Sequence, residues 1–117
     1  MRKISLIPYK IADGATIEVE GKDGVKTLVK HPDIMYNMKQ ATVNMLFNPS
    51  NKLAVRDLIE HDRIARMVEA AGDDILLEET EYAQIKDAVQ TFTGWFRNDL
   101  EFVHRVMDAE KITVKEA

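Results

Sequence analysis

The chain has 117 residues, with 16 Lys and Arg against 20 Asp and Glu, a formal charge of -4 and 45% hydrophobic residues, the balance of an ordinary globular domain. With no cysteine, thiol catalysis, zinc-finger chemistry and iron–sulfur ligation are excluded. No apolar run approaches the roughly 18 residues of a membrane helix, and the opening Met1–Pro8 stops too soon for the core of a signal peptide, so the expected compartment is the cytoplasm. One domain over 1–117 is expected, with a β-rich segment at 1–31, a helical segment at 32–110 and a tail or short strand at 111–117.

Apolar and polar residues alternate in Ile4-Ser5-Leu6 and again in Ile17-Glu18-Val19-Glu20, the period of a strand. Asp23-Gly24 is a tight-turn dipeptide, and Val25–Val29 returns as a further strand, so a hairpin of Thr16–Gly21 with Val25–Lys30 is predicted. After His31-Pro32-Asp33 the spacing changes to about 3.6, with Ile34, Met35, Met38, Ala41, Thr42, Met45 and Leu46 recurring at three and four. This predicts a first helix over 34–47, with Pro32 and Asp33 suited to its start. Asn48-Pro49 ends it, Ser50 or Asn51 caps the next, and the second helix is predicted over Lys52–Ala71 with Gly72 as its left-handed terminal residue. Ile75-Leu76-Leu77 fits either an edge strand or an extended link. Acids at 78, 79 and 81 lead a third helix through Tyr82, Ile85, Val89 and Phe92, stopping near Gly94. Asn98 followed by Glu101 reads as a capping box for a fourth helix, and Ile112–Val114 as a last short strand. The predicted class is α+β: a small antiparallel N-terminal sheet with four helices.

The first helix carries apolar side chains around too much of its girth. Beside the main stripe lie Tyr36, Val43 and Phe47, interrupted only by Lys39, and its remaining polar residues are Asn37, Gln40 and Asn44. Such a helix is either central to the domain or covered on its second side by another chain. The second reading makes Tyr36, Met38, Val43, Met45 and Phe47 an interface, since methionine and aromatic side chains adapt to and are enriched at binding surfaces. A second copy of the chain is the simplest partner.

Charge is divided along the chain. Residues 1–66 hold eleven basic and eight acidic side chains, whereas 67–117 hold five and twelve. Lys52, Arg56, Arg63 and Arg66 fall in one quadrant of the second helix, an anion-binding candidate for phosphate, nucleic acid or an acidic partner. Overall acidity and the lack of a Gly-rich phosphate loop argue against nucleic acid. The acidic run from Glu69 to Glu81 lacks the spacing of a calcium loop.

His61 sits on the second helix among Ala54, Leu58, Ile64, Ala65 and Val68, with Asp57 one turn earlier. A carboxylate and an imidazole at that spacing can hydrogen-bond, which supports the cationic ring. This is the geometry of a catalytic pair and equally that of a satisfied histidine at a core edge. Ser5 and Ser50 lack a nucleophile-elbow setting, and no His-x-x-x-His spacing exists to hold a metal. The residues therefore imply no enzyme, no metal and no cofactor.

Leu53–Arg66, Asp74–Tyr82 and Arg97–Val103 resemble a group of small bacteriophage proteins with an N-terminal β segment, an apolar helix ending near Asn-Pro, a charged helix and a closing Asn-Asp helix. The resemblance implies a phage or prophage accessory protein acting in assembly or in binding a host factor, in the host cytoplasm. Its expected role is a self-associating protein-binding module, with the basic-face binder as the alternative.

Overall fold

A computed structural model describes residues 1–113. The fold is α+β, as expected, but its β structure forms three separate antiparallel pieces. β1 (Arg2–Ser5) lies between β6 (Asp74–Leu77) and β7 (Glu110–Lys111). Alternation places Ile4, Ile75 and Leu77 inward and Lys3, Asp74 and Leu76 outward, so one face of this sheet covers the core. Ile75–Leu77 is thus an edge strand. β2 (Tyr9–Ala12) pairs with β5 (Ile34–Tyr36), with an irregularity between Lys10 and Ala12. β3 (Thr16–Glu20) and β4 (Lys26–Lys30) form the predicted hairpin, turning where Gly24 adopts φ +76°.

The β2–β5 pairing corrects the start of the first helix. Residues 34–36 extend along β2, and Asn37 then caps α1 (Met38–Leu46) by accepting from the Gln40 N–H at 3.0 Å. A side-chain acceptor at that point satisfies a free helical N–H, which neither Pro32 nor Asp33 does here. A 3-10 turn at Pro49–Asn51 follows, capped by the Asn48 side chain, and Lys52 sits in the left-handed region at φ 48°. The second helix therefore begins three residues later than predicted, as α2 (Val55–Ala70), with Ala54 at its N-cap and no side-chain cap. It ends through an extended Ala71, so Gly72 is not its left-handed terminus.

α3 (Glu79–Thr91) begins where the Glu81 carboxylate accepts from the Glu78 N–H at 2.9 Å. A 3-10 turn at Arg97–Asp99 leads into α4 (Leu100–Met107). There Asp99 accepts from the Phe96 N–H at 2.8 Å, while Glu101 pairs with Arg105, so the predicted Asn98–Glu101 capping box is replaced by one set two residues earlier, Phe96 to Asp99. The expected strand at 112–114 is displaced to Glu110–Lys111; Ile112 and Met1 exchange backbone hydrogen bonds beyond it, and Val114 lies outside the described residues.

α1 packs on α2 and α3, and α4 on α3 and β1. The core between them gathers Met38, Leu46, Ile64, Val68, Ile85, Phe102 and Val106, all essentially excluded from solvent. The radius of gyration is 19.0 Å and the extents are 65 × 40 × 24 Å, against roughly 13 Å for a compact chain of this length. The excess comes from the β3–β4 hairpin, all ten of whose strand residues are exposed. At its base the chain is drawn so close that a side chain on Gly14 would collide with the His31 carbonyl.

Candidate functional site

The five residues expected to form an interface on the first helix do not share a surface. Met38 is 0% exposed and Met45 is also buried, so both belong to the core; their stripe of α1 faces inward, where the helix packs against α2 and α3. Val43 is half-buried against the core edge, and Phe47 is 37% exposed. Tyr36 is on β5. Its ring stacks on Tyr9 with centroids 4.7 Å apart, and its hydroxyl donates to Asp99 Oδ1 at 2.7 Å. Burial first, and then the bond to Asp99, raise the Tyr36 pKa above the ordinary phenol value, so this hydroxyl stays a donor.

Tyr36 and Met45 do line a groove of about 420 Å³ together with Met35, Gln40, Trp95 and Phe96. Its far wall is built from the segment after α3, where Gly94 at φ +112° bends the chain. Phe92 and Trp95 meet edge to face at 4.9 Å, while Phe96 is left 78% exposed. The aromatic cluster around Gly94 is the signal for this wall, and the predicted third helix had ended just before it.

The hairpin is the larger open surface. The register sets Ile17 opposite Val29 and Val19 opposite Thr27, so one face is apolar and the reverse face carries Glu18, Glu20, Lys26 and Lys30 around Leu28. Among the described residues nothing pairs with either edge, and all ten strand residues are exposed. A shorter stripe, Val55, Leu58 and Ile59, is also exposed at the start of α2. Leu58, expected beside His61 at the core, is 46% exposed although it shares the face of Ala65, because the buried part of that face begins only at His61, one turn further into α2.

The basic quadrant on the second helix is dismantled by the fold. Lys52 lies before the helix. Arg63 is bonded to Glu60 and to the buried Glu81, the latter at 2.9 Å, and Arg66 to Asp62 at 2.9 Å. The hydrogen bonds that Arg63 donates to Glu60 and Glu81 hold its guanidinium firmly charged. Arg56 alone of the four remains on α2 without a carboxylate partner among the described residues. The neighbouring carboxylates of Glu60, Glu81 and Asp62 offset the positive charge of these guanidinium groups, which weakens their pull on a phosphate.

His61 is 7% exposed. Its Nδ1 bonds the Asp57 backbone carbonyl at 2.8 Å, not the carboxylate. That carbonyl only accepts, so Nδ1 carries the proton and Nε2 is left as an acceptor. Burial lowers the ring pKa despite the opposing charges of Asp57 and Glu60, so the expected cationic pair is replaced by a neutral ring. Asp57 and His61 line a cleft of about 320 Å³ with Asn51, Gln84, Asp87 and Thr91. The last three belong to α3 and were invisible to a reading of the second helix alone. Among the described residues no group of three or more His, Asp or Glu side chains is placed to hold a metal ion, and no helix is long and apolar enough to cross a membrane.

Compared with protein families, curated proteins and solved structures, the chain matches none.

Proposed function

We propose that this chain is a non-enzymatic protein-binding module that self-associates, with the β3–β4 arm as the element that meets a second copy. The observation that carries this reading is the arm's uncovered apolar face of Ile17, Val19 and Val29. A lone two-stranded hairpin is marginal in water, and open strand edges invite pairing with another chain. The arm's charges sum to zero, with Glu18, Glu20 and Asp23 against Lys22, Lys26 and Lys30, so two arms approach without net repulsion. Each of the three apolar side chains is about two-fifths exposed. Completing their burial in both copies is worth about 4–7 kcal/mol, which is of the order of the cost of association. Self-association is therefore concentration-dependent, and further contact along Val55, Leu58 and Ile59 strengthens it. A phage or prophage accessory or assembly role, suggested by the sequence resemblance, suits such a module, and it needs no cofactor.

Light scattering across protein concentration and salt tests the proposal. A dimer fraction that grows with concentration and persists at high salt is expected, because apolar contacts are not screened. Ile17→Glu combined with Val29→Glu is expected to give a monomer with the parent melting temperature. A chain that is monomeric throughout, or a double variant that still associates, overturns the reading.

A further inference from the structure

The cleft between α2 and α3 is rich in acceptors, with the Gln84 amide and the Thr91 hydroxyl as its neutral donors. His61 Nδ1 is committed to the Asp57 carbonyl, so Nε2 of this nine-tenths-buried ring offers a lone pair to the cleft. Asn51 donates from Nδ2 to the Met45 and Leu46 carbonyls at 2.8 and 3.2 Å, closing the end of α1. Those two bonds fix the amide orientation and leave Asn51 Oδ1 buried with no hydrogen-bond partner. The carboxylates of Asp57 and Asp87 complete the wall, and neither forms an ion pair among the described residues. No Lys or Arg lines the cleft. An unpaired buried acceptor costs free energy until a donor reaches it, and two carboxylates in one cleft repel until a cation separates them.

We infer that this cleft binds a guanidinium group, whose N–H donors answer the carboxylates of Asp57 and Asp87 and the free Nε2 of His61. Guanidinium suits the wall better than a compact ammonium, because its planar fork presents five donors in fixed directions and is weakly hydrated, so it enters a half-closed cleft at lower cost. The group arrives on a free small molecule or on an arginine of a second copy. The inference stands apart from the arm, since neither β3 nor β4 lines the cleft.

The test is a titration of the full chain with butylguanidinium, followed through the ¹⁵N signals of the His61 ring, with uncharged butylurea as the control of equal shape. Saturable binding in the millimolar range or tighter is expected, with the Nε2 resonance moving as its lone pair gains a donor and butylurea leaving it in place. Asp87→Asn is expected to weaken binding about 10-fold or more, a change of about 1.4 kcal/mol; Asp87 is exposed, so the fold is retained, and a melting curve verifies this. His61 signals that move on dilution without ligand assign the group to a second copy's arginine, and signals that hold assign it to a free cation. The inference is overturned by the absence of saturation, by equal binding of butylurea, or by undiminished binding to Asp87→Asn.

Discussion

Replacing Met38 by alanine separates core from interface at the helix on which the sequence left both readings open. Met38 is 0% exposed, its carbonyl accepts from the Thr42 hydroxyl at 2.8 Å, and its side chain joins the cluster of Leu46, Ile64 and Phe102. Truncation removes a buried side chain from the meeting point of α1, α2 and α3, and both lost transfer energy and the cavity left behind count against the fold. Such Met→Ala changes cost about 2–5 kcal/mol, a large share of the roughly 5–15 kcal/mol of a typical domain. At about 3–6 °C per kcal/mol for a chain of this size, the melting temperature is expected to fall by roughly 10–20 °C. Phe47→Ala, at a side chain 37% exposed, is expected to cost about 1 kcal/mol. Thermal melting by circular dichroism, with light scattering on the same samples, measures both effects. If Met38→Ala melts within a few degrees of the parent while changing the oligomeric state, Met38 is an interface residue and the placement of α1 at the centre of the core is wrong.

The other expectations are narrower. Burial lowers the His61 pKa below its unfolded value of about 6.5, so the unfolded chain binds the extra proton first. Its contribution to stability is complete above about pH 6.5 and is lost as pH falls toward the folded-state value; urea midpoints should drop across that interval, and His61→Gln should flatten the drop. Glu81 is 6% exposed and its carboxylate serves both the Glu78 N–H and Arg63. Glu81→Ala is expected to destabilise by about 1–2 kcal/mol, the loss of a helix cap, with an unchanged stability in a denaturant titration counting against that role.

The hairpin was legible in the sequence because Asp23-Gly24 and the alternation on either side are local signals. So were α3 and α4, each introduced by acids at its first turn. What failed were boundaries decided by distant partners. Ile34-Met35-Tyr36 continues a helical period on paper, yet it pairs with Tyr9–Ala12, more than twenty residues earlier, and no local pattern announces that choice. The same shift takes Tyr36 off the helix altogether, while the packing of α1 against α2 and α3, which the wheel alone left open, turns Met38 and Met45 to the core. The basic quadrant failed for a related reason. The wheel placed the four side chains, but Glu81 comes from another helix to engage Arg63, and only the tertiary fold brings it there. The acceptor cleft needed α3 laid beside α2, although the Asp57–His61 half of it was readable from spacing.

The position of β1 bears on the order in which the chain acquires structure. Its partners are β6 and β7, about seventy and one hundred residues further on, so this sheet closes only when almost the whole length has been synthesised, and such distant pairing is slow. β3 and β4 are neighbours and zip as soon as they emerge. The nascent polypeptide therefore displays its exposed hairpin on the ribosome while the body behind it is still unformed.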